Sequence, residues 1–205
     1  MDQLNPNEIN DALKDVRNAY RLLALYQTRL LDVIKYSANA FNVTFNSGWS
    51  KFSNAASHGN RASIEKLSWD WLTLYLYEFN LGGIDLGENR FNFKIVHQAD
   101  TGFYDASEFE RVSPKNVDQF GDVNEAVTRL FFVMSKNDNG CPKKNILNGN
   151  LKSKDQDVIV KGNWLAVPYT MQRFSNHTET DRVLNDFNEK CKSTFGVDLL
   201  HIVKE

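Results

Sequence analysis

From Ile9 to Ile34, core-type residues recur at alternating spacings of four and three: Ile9, Leu13, Val16, Tyr20, Leu23, Leu30 and Ile34, with Gln27 as the polar member of the series. This is the stripe of an amphipathic helix. Asn5-Pro6-Asn7-Glu8 reads as its start: Asn5 can cap, Pro6 suits the first helical position, and Glu8 lies three residues after the cap, where it can bond back. Leu22, Leu25, Tyr26, Leu31 and Val33 widen the stripe. The pattern predicts one helix over about 6–40, buried around much of its circumference in the middle. More apolar surface lies on it than one sheet face can cover, which points to self-association or docking of a partner protein.

After the helix the period changes to two. Asn42 to Phe45 reads as a short strand ending at the turn residues Asn46-Ser47-Gly48, with Trp49 and Phe52 returning to the core. Residues 53–63 read as a surface loop. Trp69 to Leu81 carries the strongest β signal, because Trp71, Tyr75, Tyr77, Phe79 and Leu81 share one parity and Leu72, Leu74 and Leu76 the other. A helix continuing from Ser63 into the start of this run fits as well. The Gly-rich stretch 82–87 then connects to Phe91–Gln98 as an antiparallel hairpin over 72–98, with Trp71, Tyr75, Phe93 and Ile95 expected in the core.

Further strands are expected near 128–135 and across 158–171, the latter split at Gly162 and pushed toward an edge by Pro168. Residues 137–157 form a long polar excursion between them. Thr178 and Asp181 resemble a capping box, and Val183, Leu184, Phe187 and Cys191 mark the face of a helix over about 178–195 that stops before Gly196. Val197 to Val203 reads as a closing strand. The sum is an α+β protein: a mostly antiparallel sheet of four to six strands within about 42–171, with a long N-terminal and a C-terminal helix, and residues 1–205 as a single domain.

The 24 Lys and Arg nearly balance 26 Asp and Glu, so no net field draws the chain to nucleic acid or an anionic membrane. The only basic cluster, Lys143, Lys144, Lys152 and Lys154, lacks interleaved aromatics and reads as a solvated loop. The opening MDQLNPNEIN has no basic-then-apolar leader, and no apolar run approaches the ~20 residues of a membrane span, so a soluble, cytoplasmic protein is expected. Cys141 and Cys191 then read as reduced thiols.

Chemistry is sparse. The phosphate-loop, dinucleotide, zinc-protease, C-x-x-C and nucleophile-elbow motifs are all missing, as is an acid two residues before any lysine. No cofactor and no metal site are expected. His177-Thr-Glu179 resembles half of a zinc-deaminase signature without its cysteines. The candidate catalytic residues are His97, Asp100 and Asp105, where a strand end meets a turn also bearing Gln98, Glu108 and Glu110. Asp100-Thr-Gly is equally ordinary turn chemistry. Candidate ligand-binding residues are Arg173, Ser175 and Thr178, ahead of the C-terminal helix, where an anion would be favoured and where capping alone also explains Thr178. Glu78 and Lys94 lie on the two arms of the hairpin and can pair across it. The composition therefore favours a non-catalytic binding or interaction module that engages a partner protein or small ligand. The alternative is a divergent metal-dependent hydrolase or nuclease-like effector centred on His97 and Asp100.

Overall fold

The computed structural model describes residues 6–50, 76–102 and 119–200. Helix α1 spans Pro6–Ala40. Two residues past its end Asn42, at φ 49°, turns the chain, with Val43 N donating to Ala38 O at 2.9 Å. Residues 42–46 are therefore not a strand. Instead Phe41 and Val43 fold into the core, and the first strand, β1, is Ser47–Ser50. Its early residues had read as a turn. Gly48 is required there because a Cβ would lie 2.5 Å from Tyr77 Oη.

Strand β2 runs Leu76–Leu86 and β3 Asn89–Gln98, so the hairpin turns on Gly87-Glu88 rather than across the whole Gly-rich stretch. Gly87, at φ 58°, takes the positive φ that a two-residue hairpin loop needs at its first position. Gly82 and Gly83 lie inside β2 as an irregularity in its pairing with β3, where Gly82 adopts φ 76° and a Cβ on Gly83 would meet Phe91 O at 2.7 Å. Strands β4 (Arg129–Lys136), β5 (Ile159–Lys161) and β6 (Trp164–Thr170) complete one six-stranded antiparallel sheet in the order β1-β2-β3-β4-β6-β5. Gly162, at φ 57°, splits β5 from β6 as expected. Pro168 sits beyond the last β5 pair, Ile159 with Ala166, so its missing N–H faces no strand on that side.

Helix α2, His177–Phe195, ends at Gly196 with φ 72°. Its cap is Asn176, not Thr178: the Asn176 carboxamide oxygen accepts from Glu179 N at 2.9 Å, two residues upstream of the Thr178 box. Residues 197–200 are not a strand. They fold back on α2, with Leu199 N donating to Asn188 Oδ1 at 2.7 Å.

One sheet face, carrying Tyr77, Phe79, Phe93, Ile95, Phe132 and Val167, is covered by the C-terminal part of α1 (Leu30, Val33, Ile34) and by Val183, Leu184, Phe187 and Cys191 of α2. Phe93, Phe132 and Phe187 meet at centroid distances of 5.5–5.7 Å. The other face, with Leu76, Val96, Phe131, Val133 and Ala166, is covered by Ile146, Leu147 and Leu151 of the 137–157 excursion, which includes a short helical turn at Lys143–Leu147. Trp71, Tyr75, the start of the hairpin, the 53–63 loop, Phe52 and a helix from Ser63 lie outside the described residues. Trp49 stays partly exposed, at 39%, rather than re-entering the core.

Burial of α1 is one-ended. Gln27, Leu30, Leu31, Val33 and Ile34 are buried, but Ile9, Leu13, Val16, Tyr20, Leu22, Leu23 and Leu25 are exposed. The middle of the helix is thus not wrapped. At ~1.5 Å per residue the helix is roughly 52 Å long, and only its C-terminal half lies over the sheet.

Candidate functional site

His97 is fully buried on the helix-covered face, its parity matching Phe93 and Ile95. Its Nε2 meets Tyr26 Oη at 2.5 Å, tying β3 to α1 where the helix leaves the core. Its partner across β2–β3 is Tyr77. His97 Nδ1 and Tyr77 Oη, both buried, have no hydrogen-bond partner among the described residues. Burial pushes the His97 imidazole down to about 3 and the Tyr77 phenol up to about 12, so both are neutral near pH 7.

Asp100 is half-buried just after β3, and its Oδ1 accepts from Gly102 N at 2.7 Å. The turn is stitched to residues 121–128 through Thr101 Oγ1, which accepts from Val127 N at 2.8 Å, and Gly121 N, which donates to Gly102 O at 2.8 Å. His97 and Asp100 share no hydrogen bond. Asp105, Glu108 and Glu110 lie outside the described residues. Among the described residues no group of three or more His, Cys, Asp or Glu side chains could hold a metal ion.

Arg173 donates through Nε to Asp155 Oδ2 at 2.8 Å, so its guanidinium is matched by a carboxylate. Ser175 follows the short 3-10 turn Met171–Phe174, and Thr178 is exposed in the first turn of α2. Nearby, Arg29, Asp32, Tyr36, Asn39, His177 and Thr180 line a cleft of about 270 Å³ between the helices. Its charges are mixed, and Tyr36 spans it, stacking on His177 at 5.1 Å and donating to Asp181 at 2.7 Å.

On the opposite sheet face the Glu78–Lys94 pair forms, at 3.2 Å and almost completely buried. Lys94 also donates to the backbone oxygens of Gly140 at 2.7 Å and Asn139 at 3.3 Å, which uses its three protons. Cys141 Sγ stands 3.7 Å from Glu78 Oε2. With Trp49 these groups line a cavity of about 330 Å³. The sequence offered no spacing that joins Cys141 to Glu78; the only signal was that an excursion as long as 137–157 must pack on something. Cys141 and Cys191 are not joined in a disulfide, and burial raises the Cys191 pKa.

Among the described residues, the most extended exposed apolar feature is the N-terminal half of α1. Ile9, Leu13, Val16, Tyr20 and Leu23, each 40–63% exposed, continue the same stripe that Gln27, Leu30 and Ile34 bury against the domain. No helix among the described residues is long and apolar enough to cross a membrane.

Fold and surface together define an α+β protein with a single antiparallel sheet and a helix whose apolar seam outruns its own core. The chain belongs to the PM0109 family, whose model matches residues 6–196. No curated protein and no solved structure matches it.

Proposed function

We propose that this protein is a non-catalytic interaction module that engages a helical protein surface through the N-terminal half of α1. One observation carries this: the seam that is core at Leu30 and Ile34 stays helical and apolar through Ile9, where Ile9, Leu13, Val16, Tyr20 and Leu23 stay exposed and no described residue of the core covers them. The five seam residues, each 40–63% exposed, form one continuous apolar stripe rather than scattered single residues, which is the kind of surface that marks an interaction site.

The test compares the wild-type chain with a Leu13→Glu/Tyr20→Glu variant. Both positions are exposed, so the variant should keep its fold. The wild type should sediment as an assembly or co-purify with a companion from its source cells, and the variant should lose that behaviour. Lone, monomeric wild-type protein that the substitutions leave unchanged overturns the reading. A divergent hydrolase at His97 and Asp100 makes the contrasting prediction of a large upward thermal shift with Mg²⁺, Mn²⁺ or Zn²⁺.

A further inference from the structure

We infer that the occupant of this seam is a second copy of the chain, packed antiparallel so that the two N-terminal half-helices lie against each other and the two domains sit at opposite ends. This rests on the interaction reading above and adds the partner and its direction.

The continuity of the seam decides the direction. Gln27, Leu30 and Ile34 already face the chain's own sheet, and they lie on the same stripe as Ile9 to Leu23. In a parallel pair each residue would oppose its own counterpart, so residues 27–34 of one copy would be driven into the space that the other copy's sheet occupies. An antiparallel pair confines that overlap to the first turn, since only residues 6–9 of the second copy come beside 27–30. With the two-fold axis near the middle of 9–27, the points where the helices enter their domains stand roughly 27 Å apart along the axis, at 1.5 Å per residue.

The seam also supplies matched layers in that direction. Leu13 comes opposite Leu23 of the second copy, leucine against leucine, and Val16 opposite Tyr20, a small branched side chain against a larger one. Ala12 and Ala19 flank it and let the backbones approach. Charge runs in the same sense. Asp11 and Asp15 lie toward the N-terminal end and Arg17 and Arg21 toward the C-terminal end, and opposed helix dipoles add to the preference.

The test uses full-length chains: one carrying Leu13→Cys and one carrying Leu23→Cys, mixed and mildly oxidised, with the unsubstituted protein reporting any background from Cys141. The mixed 13–23 product should exceed the 13–13 and 23–23 products several-fold, and sedimentation of the unsubstituted chain should show a dimer. Dominant 13–13 and 23–23 products would establish a parallel pair and overturn the inference while leaving the interaction reading standing. A chain that remains monomeric at every concentration reached also overturns it, and co-purification then decides the broader reading separately.

Discussion

Replacing His97 with Gln should change how stability depends on pH far more than it changes stability at pH 7. The imidazole is fully buried, its Nε2 is held by Tyr26, and burial drops its pKa to about 3, against about 6.5 for an unperturbed histidine. The unfolded chain therefore binds one more proton than the native chain between about pH 3 and 6.5. By linkage, stability rises with pH across that window. The contribution is complete above about pH 6.5 and is lost as pH falls toward 3. Its size follows from the two pKa values: about 2 kcal/mol lost by pH 5 and about 3 kcal/mol by pH 4. Gln keeps a group able to bond Tyr26 but cannot titrate. Urea unfolding of both proteins at pH 7, 5 and 4 isolates the effect, because acid losses from the carboxylates are common to both. The stability gap between wild type and His97→Gln should shift in favour of the variant by about 2 kcal/mol from pH 7 to 5. Parallel curves would refute the reasoning, since a histidine that titrates equally in both states is not desolvated in the core.

Lys94→Met should cost about 3–5 kcal/mol, because it leaves the buried Glu78 without its lysine and strips a donor from the carbonyls of Asn139 and Gly140. Adding Glu78→Leu should recover part of that loss in thermal unfolding; a double variant whose loss equals the sum of the singles would show that the two charges are not coupled. Gly48→Ala should cost about 1–3 kcal/mol from the Cβ driven against the Tyr77 ring. Tyr77→Phe, which deletes a hydroxyl with no partner among the described residues, should be neutral or stabilising in the same assay, and a large loss there would mean that the hydroxyl is satisfied after all.

The periodic elements were legible because their patterns are redundant. Phe91, Phe93 and Ile95 mark one strand face many times over, and Val183, Leu184, Phe187 and Cys191 do the same for α2, so each element survives a local ambiguity. The punctuation was less legible. Gly82, Gly83 and Gly87 look alike in sequence, yet two accommodate an irregularity inside β2 and one makes the turn, a difference decided by the packing of Asn92 and Phe91 against Gly83. At Thr178 the sequence pattern suggested a capping box, yet Asn176 caps the helix, because the chain reaches it extended with its side-chain oxygen accepting from Glu179 N. In α1 the stripe was read correctly and its burial was not. An amphipathic pattern reports that a face seeks cover, and says nothing about whether the cover belongs to the same chain.

The second sheet face shows a further limit of parity. Glu78, Asn92, Lys94, Gln98, Arg129 and Ser135 occupy the positions that a half-buried strand would turn to water, but all six are buried. Their partners explain why. Asn92 and Ser135 both donate to Asp138 O, Lys94 to the oxygens of Asn139 and Gly140, Gln98 to Leu151 O, and Arg129 to the oxygens of Leu151 and Ser153. The excursion over 137–157 has little regular structure to satisfy its own carbonyls, and each one buried without a donor would cost about 1–3 kcal/mol. The long polar side chains of the strands supply those donors. Apolar residues between them, Val96, Phe131 and Val133, meet Ile146, Leu147 and Leu151 and exclude water from the contact. A face that alternates apolar residues with long donors is thus suited to hold irregular backbone, and the same alternation that resembles a solvated surface is what allows a loop to serve as the second layer of this fold.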